Sequence, residues 1–189
     1  MTLDLLDVMQ SALSGVPSGK DLGELAPHTR KHATASGLGP LLYYTVQNGL
    51  VSAPQELQTE LLSTELTSRV LVEEQLDALE EILRALGPVS NQITLLKGIS
   101  ICQTHYPAPH MRPMGDIDLL VPVDKQALLE AQLVHLGYHQ KSAQPADFYK
   151  HHHHSMPFFH EQKQVWVEVH TALFSPRSRL SGDRIFARE

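Results

Sequence analysis

Residues 112 to 122 read RPMGDIDLLVP, and this stretch decides how the second half of the chain folds. An Arg-Pro start and a glycine lead into Ile117, Leu119, Leu120 and Val121, a run that demands burial, yet Asp116 and Asp118 stand within it. Alternate residues of a strand project to the same face. A strand over 116–121 sends Ile117, Leu119 and Val121 into the core and holds both carboxylates on the other face, with Cα atoms roughly 6.5 to 7 Å apart. Unpaired charge is costly where water is excluded, and neighbouring carboxylates drive one another toward protonation unless a cation intervenes. A hard divalent ion such as Mg2+ answers both needs, because it prefers carboxylate oxygens and keeps waters for a phosphate ligand. Solvation or capping at a strand end is the alternative.

Working outward, QITLL at 92–96 reads as a buried strand, followed by Lys97-Gly98 and a short helix to about Tyr106. Pro107, Pro109 and Pro113 stiffen the loop that returns to Asp116. Asp124 starts a helix that Gly137 caps. Tyr138 to Gln140 and Met156 to His160 are short strands, and QVWVEVHTAL at 164–173 is the clearest one, alternating along its length. The first half is helical: 2–14, 27–36, a helix from Pro40 to an Asn48-Gly49 cap, and a long helix from Pro54 to about Leu86 with Ser52 or Ala53 near its N-cap. In that last helix Val72, Leu76, Leu79, Leu83 and Leu86 form a seam expected to pack on the N-terminal helices, with a dimerising coiled coil as the alternative. The fold class is α+β: a helical N-terminal region, 1–88, then a small mixed sheet with flanking helices, 89–189.

The bulk properties narrow the function. A formal net charge of -6, from 15 Lys+Arg against 21 Asp+Glu, argues against binding long nucleic acid, which needs a basic face. One cysteine excludes an intramolecular disulfide framework and fits a reducing compartment. MTLDLLDVMQ lacks the basic start of a signal peptide, and no apolar run approaches the ~18 residues needed to span a bilayer. The expectation is a cytoplasmic protein with no membrane partner. Cys102 reads as a buried helix residue rather than a nucleophile. His151 to His154 reads as a solvated loop, since consecutive residues cannot all converge on one ion.

A two-metal phosphoryl site needs a third carboxylate. The alternation of QVWVEVHTAL sets Trp166, Glu168 and His170 on one face and Val165, Val167 and Val169 on the other. Glu168 completes the cluster if that strand lies beside 116–121, about 4.8 Å away. Lys97-Gly98 falls where a strand gives way to a helix, a place where backbone N–H groups can approach phosphate. Lys97 and Arg112 are candidate phosphate contacts, and Gly115 lets the chain turn sharply into the strand.

Together these residues resemble a family. LLKGISICQTHYPAPHMRPMGDIDLLVP, with Lys97-Gly98, Tyr106-Pro107, Arg112-Pro113, Asp116, Asp118 and the later Glu168-Val169-His170, resembles the uncharacterised nucleotidyltransferase family of the DNA polymerase beta-like nucleotidyltransferase superfamily. HHHHSMPF also looks like the histidine-rich segment that precedes the last strand there. The resemblance spans roughly 91–174. It implies transfer of a nucleoside monophosphate from an NTP to a hydroxyl-bearing acceptor (protein, metabolite or sugar) with release of pyrophosphate. Asp116, Asp118 and Glu168 would be the catalytic, metal-holding acids for Mg2+ or Mn2+. Lys97, Gly98, Ser100, Arg112, Gly115 and His170 would be the nucleotide-binding set, ATP among the candidate donors. The chain departs from the superfamily in reading Gly98-Ile99-Ser100 where a Gly-Ser or Gly-Gly pair is usual. It also ends soon after the third acid, where relatives continue, and so reads as lacking a further C-terminal helical region. Two other readings compete: a catalytically degenerate module that binds nucleotide or a partner, and an Asp-x-Asp glycosyltransferase, which would need a longer Rossmann-like half.

Overall fold

The computed structural model describes residues 5–149 and 154–173. The chain divides into two compact units, Met1–Glu73 with Cys102–Pro113, and Glu74–Ile101 with Met114–Glu189. The division crosses the long helix at Glu73, so its final turns group with the sheet and not with the helices before 88.

The first unit is built from α1 (Leu5–Ser14), α2 (Pro27–Ala35), α3 (Gly39–Gln47) and the first part of α4 (Gln55–Leu86). Pro27 and Pro40 occupy first-turn positions, where a missing N–H costs nothing. The Asn48-Gly49 stop is present: Gly49 takes φ +67°, and the N–H of Leu50 returns to the Thr45 carbonyl. Val8, Leu22, Ala33, Leu42, Leu57 and Leu61 form its core. A short 3-10 turn, Pro109–Met111, is tied to α4 by the Ser68 hydroxyl, which donates to the His110 carbonyl at 2.6 Å, and by His110 Nε2 at 3.1 Å from Glu65.

The second unit carries the sheet. Its strands are β1 (Thr94–Leu96), β2 (Ile117–Leu120), β3 (His139–Gln140), β4 (Phe158–His160) and β5 (Val165–His170), in the order β1-β2-β5-β4-β3. β2 and β5 are parallel; the other pairs are antiparallel. Three helices accompany them: α5 (Lys97–His105) begins here after β1, α6 (Gln126–His135) follows β2, and α7 (Ala146–Tyr149) follows β3. Ile117, Leu119, Val121, Val165, Val167, Val169 and Phe158 pack with Leu129 and Leu133 of α6. Leu76, Leu79, Leu83 and Leu86 of α4 join this same cluster. Below Val72 the seam therefore serves the sheet, correcting the expectation that it packs on the N-terminal helices; the apolar strand face is the larger surface needing cover.

Boundaries shift for local reasons. Gly87 takes φ +54° and ends α4, but a 3-10 turn over Gly87–Gln92 then absorbs Gln92, expected to open β1, with Ile93 as its C-cap. Asp124 does not cap α6; it lies in a 3-10 turn, Val123–Lys125, and the helix starts at Gln126 with no side-chain cap. Gly137 does end α6, at φ +92°, and a Cβ there would stand 3.2 Å from His160 Nε2. Among the described residues no helix is long and apolar enough to cross a membrane.

Tyr138 sits beside that glycine, 2% exposed, with its ring edge-on to His160 at 5.0 Å. Its hydroxyl is buried with no hydrogen-bond partner among the described residues. Burial, reinforced by the charge of Glu81, pushes its pKa up to about 12. A buried unsatisfied hydroxyl costs about 1–3 kcal/mol, so Tyr138→Phe is expected to raise stability by about 1 kcal/mol at neutral pH. The phenol binds its proton more tightly folded than unfolded, so wild-type stability holds below the unfolded value and falls as pH rises through the folded one. Denaturant melts from pH 9 upward should show that alkaline loss in wild type and less of it in Tyr138→Phe.

Candidate functional site

The site is assembled by two strand registers. β1 pairs with β2 so that Leu96 faces Asp118, which brings the next residue, Lys97, to the same end. β5 lies parallel to β2 with Glu168 directly across from Asp118 and His170 across from Leu120. The adjacency that the sequence pattern required is therefore present. Lys97 takes φ +49°, left-handed backbone that a non-glycine residue adopts only at a cost and that the surrounding structure must hold in place.

Four side chains converge there. Lys97 Nζ donates to Asp118 Oδ1 at 2.6 Å and lies 3.8 Å from Glu168 Oε2. His170 Nε2 reaches the same Asp118 oxygen at 2.7 Å and Glu168 Oε2 at 3.4 Å. One ligand atom from each of Asp118, Glu168 and His170 lies within 4.8 Å of the others. The side chains of Asp118 and His170 are almost fully enclosed, Glu168 is partly open and Lys97 is mostly exposed, so the cluster has a buried floor and a solvent-facing mouth.

Charge follows geometry. Burial alone would push the Asp118 carboxyl up, but hydrogen bonds from His170 and Lys97 outweigh it and hold the group below the usual carboxylate range. The hydrogen bond with His170 lowers Glu168 against the opposing effect of burial, and the field of His154 helps. Asp116 goes the other way: burial, then the negative charges of Asp118 and Glu168, raise it. For His170 burial opposes the charged form, and hydrogen bonds to Asp118 and Glu168 prevail to raise it. Lys97 is raised in the same way, its partial burial outweighed by Asp118.

Of the residues expected at the site, Lys97, Asp118, Glu168 and His170 come together. Asp116 precedes β2, half-buried and within the field of the cluster, but is not part of the converging group. Gly98 is needed for packing: a Cβ would meet Met114 Cγ at 2.7 Å. Ser100 is half-buried in α5. Gly115 is exposed, lacks a positive φ, and a Cβ there would meet nothing within 4 Å, so the turn into β2 does not require glycine. Arg112 belongs to the first unit, just after the 3-10 turn, where its charge acts on Cys102. Cys102 is fully buried, and burial pushes its thiol up, as suits a structural cysteine.

One participant was not expected. His154 is half-buried, not in a solvated loop; it forms an antiparallel backbone bridge with His170, and the two rings lie 5.3 Å apart. His151 to His153 lie outside the described residues. No periodicity marks His154 out from its three neighbours; only the bridge to β5 does.

No curated protein and no solved structure matches the chain. A family model does, across residues 27–189, far more than the stretch over which the motifs are visible by eye. With the parallel Asp118–Glu168 pair in place, that match identifies the chain as a member of the uncharacterised nucleotidyltransferase family.

Proposed function

We propose that the protein transfers a nucleoside monophosphate from an NTP to a hydroxyl-bearing acceptor, with Asp118 and Glu168 holding Mg2+ or Mn2+ and Asp116 contributing the third carboxylate. The observation that carries this reading is the Asp118–Glu168 register across β2 and β5. The donor set suits such an ion: Asp118 and Glu168 meet against Lys97 and His170, and Asp116, beside the cluster, is raised by burial first and then by the negative charges of the other two acids. A bound divalent ion would supply charge neutralisation at the phosphoryl oxygens.

The chain's own groups do the rest. Glu168, the more open of the paired acids, orients the acceptor hydroxyl and takes its proton. The acceptor oxygen then bonds to the α-phosphorus, the α–β phosphoanhydride bond breaks, and pyrophosphate leaves with that electron pair. Lys97, exposed on a flexible stem, contacts the triphosphate oxygens, and Gly98 and Ser100 lie where α5 begins and can offer backbone and hydroxyl donors. His170 bridges Asp118 and Glu168 and fixes their orientation.

A second reading has a specific observation behind it. Lys97 and His170 already balance Asp118 without any added cation, which favours a module that binds nucleotide and does not turn it over. Incubation with labelled NTPs, Mg2+ and lysate separates the two. Pyrophosphate release with label moving to an acceptor supports transfer; Mg2+-dependent NTP binding without either product supports the binding module.

A further inference from the structure

We infer that Tyr149 and His154 form the seat for the nucleobase of the NTP, on an aromatic path leading from the carboxylate cluster to the surface. The inference rests on the nucleotidyl-transfer reading of that cluster and adds a recognition element to it.

The path begins at the chemistry. His170 holds Asp118 at 2.7 Å, and its ring lies 5.3 Å from that of His154. The His154 ring lies 5.7 Å from Tyr149, and Tyr149 lies 5.3 Å from Phe148. Phe148 is 44% exposed, so the succession ends in solvent. Four rings in contact, one end on a buried carboxylate and the other at the surface, describe a direction as well as a cluster.

Both middle rings are oriented by their own hydrogen bonds. The Tyr149 hydroxyl is paired with Ser142 Oγ at 2.5 Å. His154 Nδ1 donates to the Ser155 carbonyl at 2.9 Å, and Ser155 is in turn held by its N–H to Val169 of β5. Ring positions set in this way are preorganised, so little ordering cost falls on a ligand that meets them.

The requirement for such a seat comes from the ligand. In the proposed reading a cation held by Asp118 and Glu168, together with Lys97, would take the triphosphate oxygens, which leaves the base one ribose away from the cluster. Every nucleobase presents a π-face, and tyrosine, phenylalanine and imidazole rings are the side chains that meet one favourably. An aromatic path that starts beside His170 and reaches solvent at Phe148 offers a base tethered to that triphosphate a surface to stack on. Stacking is tolerant of base identity, so the seat grips nucleotides in general, purines most firmly because their ring system is larger.

The test compares two probes on the full chain with Mg2+ present: ATP, which carries a base, and inorganic tripolyphosphate, which does not. Wild type is expected to bind ATP the more tightly. Tyr149→Leu, which keeps apolar bulk and removes the ring, should weaken ATP by about tenfold and leave tripolyphosphate unchanged, whereas Tyr149→Phe should retain ATP affinity; His154→Leu should weaken ATP by at least as much as Tyr149→Leu. Equal weakening of both probes in Tyr149→Leu, or unchanged ATP affinity in both leucine variants, would overturn the base seat and leave the metal and triphosphate site standing. A wild-type chain that binds neither probe would remove the underlying reading as well. A measurement free of substitutions uses saturation-transfer NMR on wild type. Adenine H2 and H8 should receive magnetisation from protein aromatic protons, and their silence in a chain that binds ATP overturns the seat.

Discussion

Asp118→Asn should lower nucleotidyl transfer on the order of a thousandfold, the loss of several kcal/mol of charge stabilisation at the reacting phosphate, while leaving the protein folded. The two halves of that expectation come from different properties of one residue. As a charge, Asp118 is the most enclosed acid of the site, 1% exposed, and is proposed to hold the metal. As a shape, it is a planar acceptor for Lys97 Nζ and His170 Nε2. Asparagine keeps an oxygen for both donors and removes only the charge. Because the hydrogen bonds from His170 and Lys97 outweigh the burial cost of the Asp118 carboxylate, the charge itself is stabilising, and the variant should stay folded but melt somewhat below the wild-type temperature. Circular dichroism melts beside the labelled-transfer assay decide the matter. Wild-type turnover in the variant would take Asp118 out of the mechanism.

The second large effect is on stability. His170→Ala is expected to destabilise the protein by about 2 kcal/mol in the absence of added metal, below the usual cost of stranding a buried charge because Lys97 still pairs with Asp118. Both side chains are almost wholly enclosed, and the bond between them is 2.7 Å. The same substitution made on Asp118→Asn should cost much less, since no buried carboxylate then loses a partner. Urea unfolding of the four proteins gives the coupling directly. The sign of its pH dependence is fixed as well. A raised His170 contributes stability that is full below its unfolded value and is lost as pH rises through the folded one. A depressed Asp118 contributes stability present above its unfolded value and lost as pH falls. The coupling should therefore peak between about pH 4 and 6.5, the span between ordinary carboxylate and imidazole values. A coupling energy near zero across that range would mean that the pair is incidental.

Much of the site could be read from side-chain alternation, and the reason is physical. Asp118, Glu168 and His170 each interrupt or flank an apolar strand pattern, and a strand's period of two fixes which face they share. The β2–β5 adjacency was a condition in that reading, met only once the parallel register is seen. What alternation could not supply was anything fixed by chain reversal. Lys97 was expected as a phosphate contact. Its hold on Asp118 depends on the antiparallel β1–β2 register and on a left-handed backbone at a non-glycine residue. His154 was hidden among identical neighbours. The α4 seam was recognised as a seam but assigned to the wrong surface, because periodicity states that a face is buried and not against what. The turns at Val123–Lys125 and Gly87–Gln92 shortened elements whose ends carry no strong capping residue.

The parallel pairing of β2 with β5 has a consequence for how the protein matures. Asp118 and Glu168 sit fifty positions apart in the chain, and α6, β3, α7 and β4 all intervene before the two strands can meet. Contacts of such long sequence separation form late, because loop-closure entropy opposes them until much else is in place. A nascent or partly refolded chain thus possesses the acids without their convergence, and uptake of the proposed cation would report the last docking event in the sheet.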